Sequence, residues 1–262
     1  MEHNVLIAFG ACAVAALATV LGALVLFRVK EPNPRLLSFG LAFAGGAMVY
    51  ISLVEILVKS QMAFGALYPD KTAYALATSA FFCGVLLVVA LDKFLPNPHG
   101  GLHEHEFHHD SKTHVARVGL MAAIAITAHN FPEGMATFFS TLDDPTVGAP
   151  LAMAIAIHNI PEGISIAIPV YYATGSKRKA IAACSLSAIA EPVGAGLGYA
   201  VLAPFLTQGV YGWVFGIIAG IMVFLALDEL LPAAKRYAKG HETVYGMIFG
   251  MGALALSLVL FR

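Results

Sequence analysis

The sequence predicts an all-α fold: a polytopic membrane protein of eight transmembrane helices, built as a single domain over residues 1–262. Three observations carry this expectation. Hydrophobic residues make up 59% of the 262 positions and charged residues 12%, with a mean hydropathy of +0.79. A soluble domain needs about twice that charge to cover its surface. The apolar residues fall in eight blocks, each long enough to cross about 30 Å of hydrocarbon at about 1.5 Å per residue. Twelve of the 15 Lys and Arg fall in alternate loops, the pattern of the positive-inside rule. The formal net charge of −1 gives no reason to invoke nucleic acid.

The first block, 5–27, follows Glu2 and His3 and precedes Arg28 and Lys30. A cleaved signal wants positive charge ahead of a shorter apolar core, so this block reads as a permanent helix with its N-terminus outside. The second block, 36–58, contains Glu55. The third, 73–95, holds Asp92 beside Lys93 near its end, an interfacial pair. The loop 97–114 then holds His99, His103, His105, His108, His109 and His114, with Glu104, Glu106 and Asp110 interleaved. Such tracts bind metal weakly and adaptably, or serve simply as solvated linkers.

Blocks four and five, 118–140 and 147–172, carry a repeated motif treated below. Block six, 180–206, contains Glu191 in the string Ala190-Glu191-Pro192. Block seven, 210–231, ends near Asp228 and Glu229, and block eight is 244–261. Cys12, Cys83 and Cys184 lie singly inside apolar blocks and read as small buried residues, not a disulfide frame or thiolate site.

With the N-terminus outside, four loops face the cytoplasm. They hold Arg28, Lys30 and Arg35; Lys93, Lys112 and Arg117; Lys177, Arg178 and Lys179; and Lys235, Arg236 and Lys239. Only Lys59, Lys71 and Arg262 fall elsewhere. Both termini are therefore expected outside, and the His-rich loop inside, where it buffers or senses incoming ions.

Two internal repeats stand out. His129-Asn130-Phe131-Pro132-Glu133-Gly134 recurs as His158-Asn159-Ile160-Pro161-Glu162-Gly163, one helix and one loop later, so the two copies run antiparallel. More weakly, Gly46 through Glu55 resembles Gly220 through Glu229, again on helices of opposite direction. Inverted repeats are a recurrent plan of secondary transporters, with the substrate site where the repeats meet near the midplane.

An ionisable group inside a bilayer costs at least about 2.5 kcal/mol, so it should face the protein interior with a partner. In each HNxPEG copy the His and Glu are four residues apart, on one helical face. The Asn stands on the same flank. His129, Asn130, Glu133, His158, Asn159 and Glu162 thus make a mixed N/O metal site. Imidazole suits zinc, iron, copper and nickel, while carboxylates and amides also suit harder ions. Without thiolate, such a site releases its ion again. Pro132 cannot donate to the carbonyl of Ala128, nor Pro161 to that of Ile157, so each helix should kink and free a carbonyl beside its His. Glu191 adds a third carboxylate at similar depth, and three close carboxylates stay ionised together only around a cation. Glu55 toward the outside, and Asp228 and Glu229 toward the cytoplasm, are either pathway groups or interfacial anchors. The pairs Gly194/Gly198, Gly216/Gly220 and Gly246/Gly250 allow close helix approach, within the chain or across a dimer face.

Two other functions compete with ion passage. A membrane-embedded zinc metallohydrolase would use the same ligands, but neither HExxH nor a nucleophile elbow is present, and two symmetric ligand sets suit passage better. A metal sensor would work mainly through the His-rich loop.

On its HNFPEGMATF string (His129–Phe138) and on His158–Gly163 with the run 169–178, the chain resembles the ZIP (Zrt-, Irt-like) family of divalent-metal transporters. The resemblance extends over all eight blocks, the outside termini and the His-rich loop. It implies a 3+2+3 inverted-repeat architecture and a two-metal centre between helices four and five. The implied ligands are His129, Asn130 and Glu133, then His158, Asn159 and Glu162, with Glu191 on helix six. It also implies uptake toward the cytoplasm, in bacteria across the inner membrane, and often a homodimer. Bacterial members of this kind tend to accept zinc, iron, manganese, cobalt and cadmium. The metal is transported cargo, and no other cofactor is expected.

Overall fold

The computed structural model describes residues 2–27, 34–92, 127 and 130–261. Among these residues the chain forms eight helices and no strand. Helix α1 spans Glu2–Gly22 and tightens into a 3₁₀ turn, Ala23–Phe27. Helix α2 runs from Pro34 to Gly65, α3 covers Asp70–Asp92, and α4 is described over 130–143. Then follow α5 (Pro145–Thr174), α6 (Lys177–Leu202), α7 (Gln208 to Tyr237) and α8 (Glu242–Phe261). Seven of them are long and apolar enough to cross a membrane; the eighth, α4, is described only in part.

Local chemistry sets the boundaries. Helices α4 and α5 are separated by Asp144 alone. Its side chain accepts from the Thr146 amide at 2.9 Å, and Pro145 takes the first helical position, where a missing N–H costs nothing. Helix α5 stops at Gly175, whose φ of 64° is a left-handed conformation that favours glycine. Ser176 and Thr207 cap α6 and α7 through their hydroxyls. Helix α5 runs unbroken through Pro161.

The helices obey an inverted pseudo-symmetry that can be followed residue by residue. Gly46 of α2 has no room for a Cβ against the Met247 backbone of α8, and Gly220 of α7 has none against the Phe81 backbone of α3. Gly250 meets Phe43 as Gly84 meets Ile217. Around the middle pair, Gly22 of α1 abuts Ile160 of α5 as Gly194 of α6 abuts Phe131 of α4. The same operation relates Thr19 against Gly163 to Glu191 against Gly134. So α1, α2 and α3 repeat as α6, α7 and α8, inverted, around α4 and α5. Small residues at the crossings let the backbones touch, which is how helices associate where lipid offers no hydrophobic drive. Gly194, Gly216, Gly220, Gly246 and Gly250 lie against main chain within the protein, and Gly198 lies against the Met135 and Phe139 side chains.

Helices α2 and α7 each widen into one π turn, at Ser52–Ile56 and Ala226–Leu230. The two turns occupy equivalent positions in the weaker repeat, and each contains its acid: Glu55 in one, Asp228 and Glu229 in the other. Each has its own local disturbance. Ser52 Oγ donates to the Met48 carbonyl at 2.7 Å, and Pro232 cannot donate to the carbonyl of Asp228. Single π turns recur at functional sites. The buried core is carried by Phe138, Phe139, Phe215, Met48, Ile51 and Ile155, while Val14, Leu17, Leu186 and Ile189 point outward as lipid-facing side chains would.

Candidate metal centre

Helices α4 and α5 meet at a group of three buried metal-capable side chains, Glu133, His158 and Glu162, whose ligand atoms lie within 4.8 Å of one another. His158 Nε2 contacts Glu133 Oε1 directly. His158 and Glu162 are one turn apart on α5, so both point the same way, and Glu133 reaches them from the facing helix. Gly134 makes this close approach possible on the α6 side. Its Cα rests on the Glu191 backbone, which carries the Glu191 carboxylate in beside α4 and α5.

The two asparagines are held from behind. Asn159 Nδ2 donates to the Ala15 carbonyl of α1 at 3.0 Å and to Glu191 Oε1 at 2.7 Å. Asn130 Nδ2 donates to the carbonyl and the hydroxyl of Ser187, both at 3.3 Å. Both amide oxygens remain buried without a hydrogen-bond donor, as does Glu191 Oε2. An orphaned buried acceptor costs about 1–3 kcal/mol. Asn130 Oδ1, Asn159 Oδ1 and Glu191 Oε2 are thus left as buried acceptors, with the amide nitrogens spent on positioning.

The electrostatics agree. Glu133, Glu162 and Glu191 are essentially fully buried, and Glu191 lies within electrostatic reach of the other two. Among the described residues, three carboxylates and one imidazole are buried here and no Lys or Arg is, a donor set of the kind that suits a dication with borderline-soft character.

Of the residues expected from sequence, the structure unites Glu133, His158 and Glu162, and it joins Asn159 to Glu191. Glu55 is buried in α2, Asp228 is exposed and Glu229 half-buried in α7; none of them belongs to the cluster. His129, the six histidines from His99 to His114, and Ala128 lie outside the described residues.

Sequence reasoning passed over Ser187 and the Ala15 carbonyl. A signal for both existed. Cys12-Ala13-Val14-Ala15-Ala16-Leu17-Ala18-Thr19-Val20-Leu21-Gly22 aligns with Cys184-Ser185-Leu186-Ser187-Ala188-Ile189-Ala190-Glu191-Pro192-Val193-Gly194. The structure honours it closely: Cys12 Sγ donates to the Gly134 carbonyl at 3.4 Å, and Cys184 Sγ to the Gly163 carbonyl at 3.3 Å. Each thiol is occupied at a main-chain carbonyl. The double variant Cys12→Ser, Cys184→Ser is therefore expected to keep zinc affinity within about threefold, because a hydroxyl makes the same bond. Isothermal titration of the purified variant checks this, and a loss of zinc binding would make the thiols ligands.

Comparison with known proteins gives a consistent result. The family model described as ZIP Zinc transporter matches residues 97–258. A protein named Zinc transporter ZupT from Stenotrophomonas maltophilia (strain K279a) is 59% identical over 262 residues, covering 99% of this chain and 97% of its own. Proteins of the same name from Xanthomonas axonopodis pv. citri (strain 306) and Neisseria meningitidis (serogroup B, strain MC58) are each 61% identical, over 100% and 99% of this chain and 97% of their own.

Proposed function

Since the chain belongs to the ZIP zinc transporter family, we propose that this integral membrane protein carries zinc into the cytoplasm through the buried centre between α4 and α5. The observation that carries the reading is the buried Glu133–His158–Glu162 cluster, with no Lys or Arg buried among the described residues. The family is one of transporters, not enzymes, which removes the metallohydrolase reading.

In this mechanism the zinc ion sheds its water onto Glu133, His158, Glu162 and the family-implied His129, with the amide oxygens of Asn130 and Asn159 and with Glu191 completing a second position. Glu55 gathers ions on the outer side, and Asp228 and Glu229 receive them on the inner side, each from a π turn in one of two inverted repeats. Rocking of α1–α3 with α6–α8 against α4 and α5 exposes the centre alternately. A membrane potential negative inside favours entry of a dication by about 4.6 kcal/mol per 100 mV. The mixed N/O donor set extends the reading to iron, manganese, cobalt and cadmium as further cargo. It also places protons in competition with the metal for His and Glu. The membrane is the bacterial inner membrane, with both termini outside and the His-rich loop in the cytoplasm as an ion buffer. A homodimer would form through lipid-facing side chains, since all three glycine pairs are spent inside the chain.

The test is zinc influx into liposomes containing the purified protein and a trapped zinc-responsive dye. Wild type should show protein-dependent influx, and Glu162→Ala should abolish it. Influx untouched by that substitution would put the ion path elsewhere. No influx through a demonstrably folded wild type, under either sign of potential and with a pH gradient, would sink transport itself.

A further inference from the structure

The inverted symmetry pairs backbone positions across the two sides of the centre, and at Glu191 the paired side chains differ in charge. Cys12 answers Cys184, the Ala15 carbonyl answers that of Ser187, and Gly22 answers Gly194, each with the equivalent partner on α4 or α5. The residue that answers Glu191 is Thr19. Its backbone packs on Gly163 as that of Glu191 packs on Gly134. Glu191 reaches Asn159; the operation that relates Asn159 to Asn130 therefore brings Thr19 to the Asn130 side of the centre.

The Thr19 hydroxyl has no ordinary occupation there. It is fully buried and makes no hydrogen bond. Buried helical hydroxyls in this chain commonly donate to the carbonyl four residues back, as Ser52, Thr137 and Thr141 do. For Thr19 that acceptor is the Ala15 carbonyl, which Asn159 Nδ2 already holds at 3.0 Å. Asn130 Oδ1 is also buried without a donor. Both oxygens carry free lone pairs: a metal ion can take one from each, and a metal-bound water can donate to either or accept from the hydroxyl.

We propose that Thr19 is a ligand position of the ion path, the neutral counterpart of Glu191, whose hydroxyl takes the transported dication on the α1 side together with the amide oxygen of Asn130. It makes the centre unequal. Glu191 brings a full charge to one flank and Thr19 only a dipole to the other, so an ion is held firmly on one side and loosely on the other. This rests on the transport reading above.

The experiment is zinc influx into dye-loaded liposomes, with zinc alone as probe, for Thr19→Val, Thr19→Ser, Glu191→Thr and the exchange Thr19→Glu with Glu191→Thr. Thr19→Val keeps the shape and removes the oxygen. It should raise the KM for zinc about tenfold with the maximal rate nearly unchanged, while Thr19→Ser stays within about twofold of wild type. Glu191→Thr should lose most influx, and the exchanged pair should recover at least about a tenth of it, because the charge returns on the opposite flank. Equal KM in Thr19→Val and wild type, or equal damage from Val and Ser, would overturn the proposal. If Thr19→Val does not fold, the exchanged pair decides alone, and failure to recover influx in a folded exchange variant overturns it. A parallel Glu162→Ala arm separates the two readings. If that arm is silent, a negative result condemns Thr19 only; if it still transports, the centre itself is wrong and Thr19 falls with it.

Discussion

Zinc influx through the Glu133→Gln variant is expected to fall at least about a hundredfold, to the level of protein-free liposomes. The substitution keeps the volume of the side chain, removes its charge and turns one acceptor oxygen into a donor NH2. Glu133 is fully buried, touches His158 and faces Glu162 from the other helix. Removing one partner from a buried, charge-paired site costs about 3–5 kcal/mol, because nothing else solvates the charge left behind. About 2.7 kcal/mol already corresponds to a hundredfold loss of affinity. Zinc titration of the detergent-solubilised variant should show the same loss, with an unchanged elution profile on size exclusion. A Glu133→Gln protein that carries zinc within about threefold of wild type would remove Glu133 from the ligand set.

The second large effect is on folding. Gly134→Val and Gly163→Val should each prevent recovery of monodisperse protein. A Cβ at either position runs into main chain, that of Glu191 and of Thr19 respectively, and main chain cannot rotate out of the way. Overpacking typically costs about 1–3 kcal/mol where side chains yield; at these crossings the helices themselves must separate, pulling α6 off α4 or α1 off α5. The control is Gly252→Val on α8, where nothing lies within 4 Å of the added Cβ. It should be recovered like wild type. Size exclusion and thermal unfolding in one detergent compare the three. A well-behaved Gly134→Val protein would mean that α4 and α6 do not touch as described.

These two expectations separate what could be read along the chain from what could not. The motif glycines follow their glutamates in HNxPEG, and the sequence marks the glutamates as chemistry because charge inside an apolar block is costly. The same strings say nothing of why the glycine is there. That reason is the backbone of another helix, tens or more than a hundred residues away, and it exists only once the helices pack. The asparagines divide the same way. Their nearness to the histidines was legible from helical spacing, whereas the direction of each amide was not. The Ala15 carbonyl and Ser187 hold the nitrogens, and that leaves the oxygens without a donor.

The irregular turns show where one-dimensional pattern stops. The resemblance of the segment around Glu55 to that around Glu229 was visible as spelling. The π widening of both was not, since Ser52–Ile56 contains neither Pro nor Gly and reads as ordinary helix.

By itself, then, the sequence determined the helical class, the long apolar blocks, the two antiparallel ligand strings and the carboxylates that had to find a cation. All of these follow from hydropathy, helical periodicity and the cost of buried charge, which are local properties of the chain. Only the tertiary structure decided which of these side chains converge, which amide atom is left without a partner, and that Thr19 stands where symmetry would put a second Glu191. Those are relations between helices, and a neutral threonine among apolar residues carries no energetic mark until the inverted packing of α1 on α5 takes away its usual hydrogen bond.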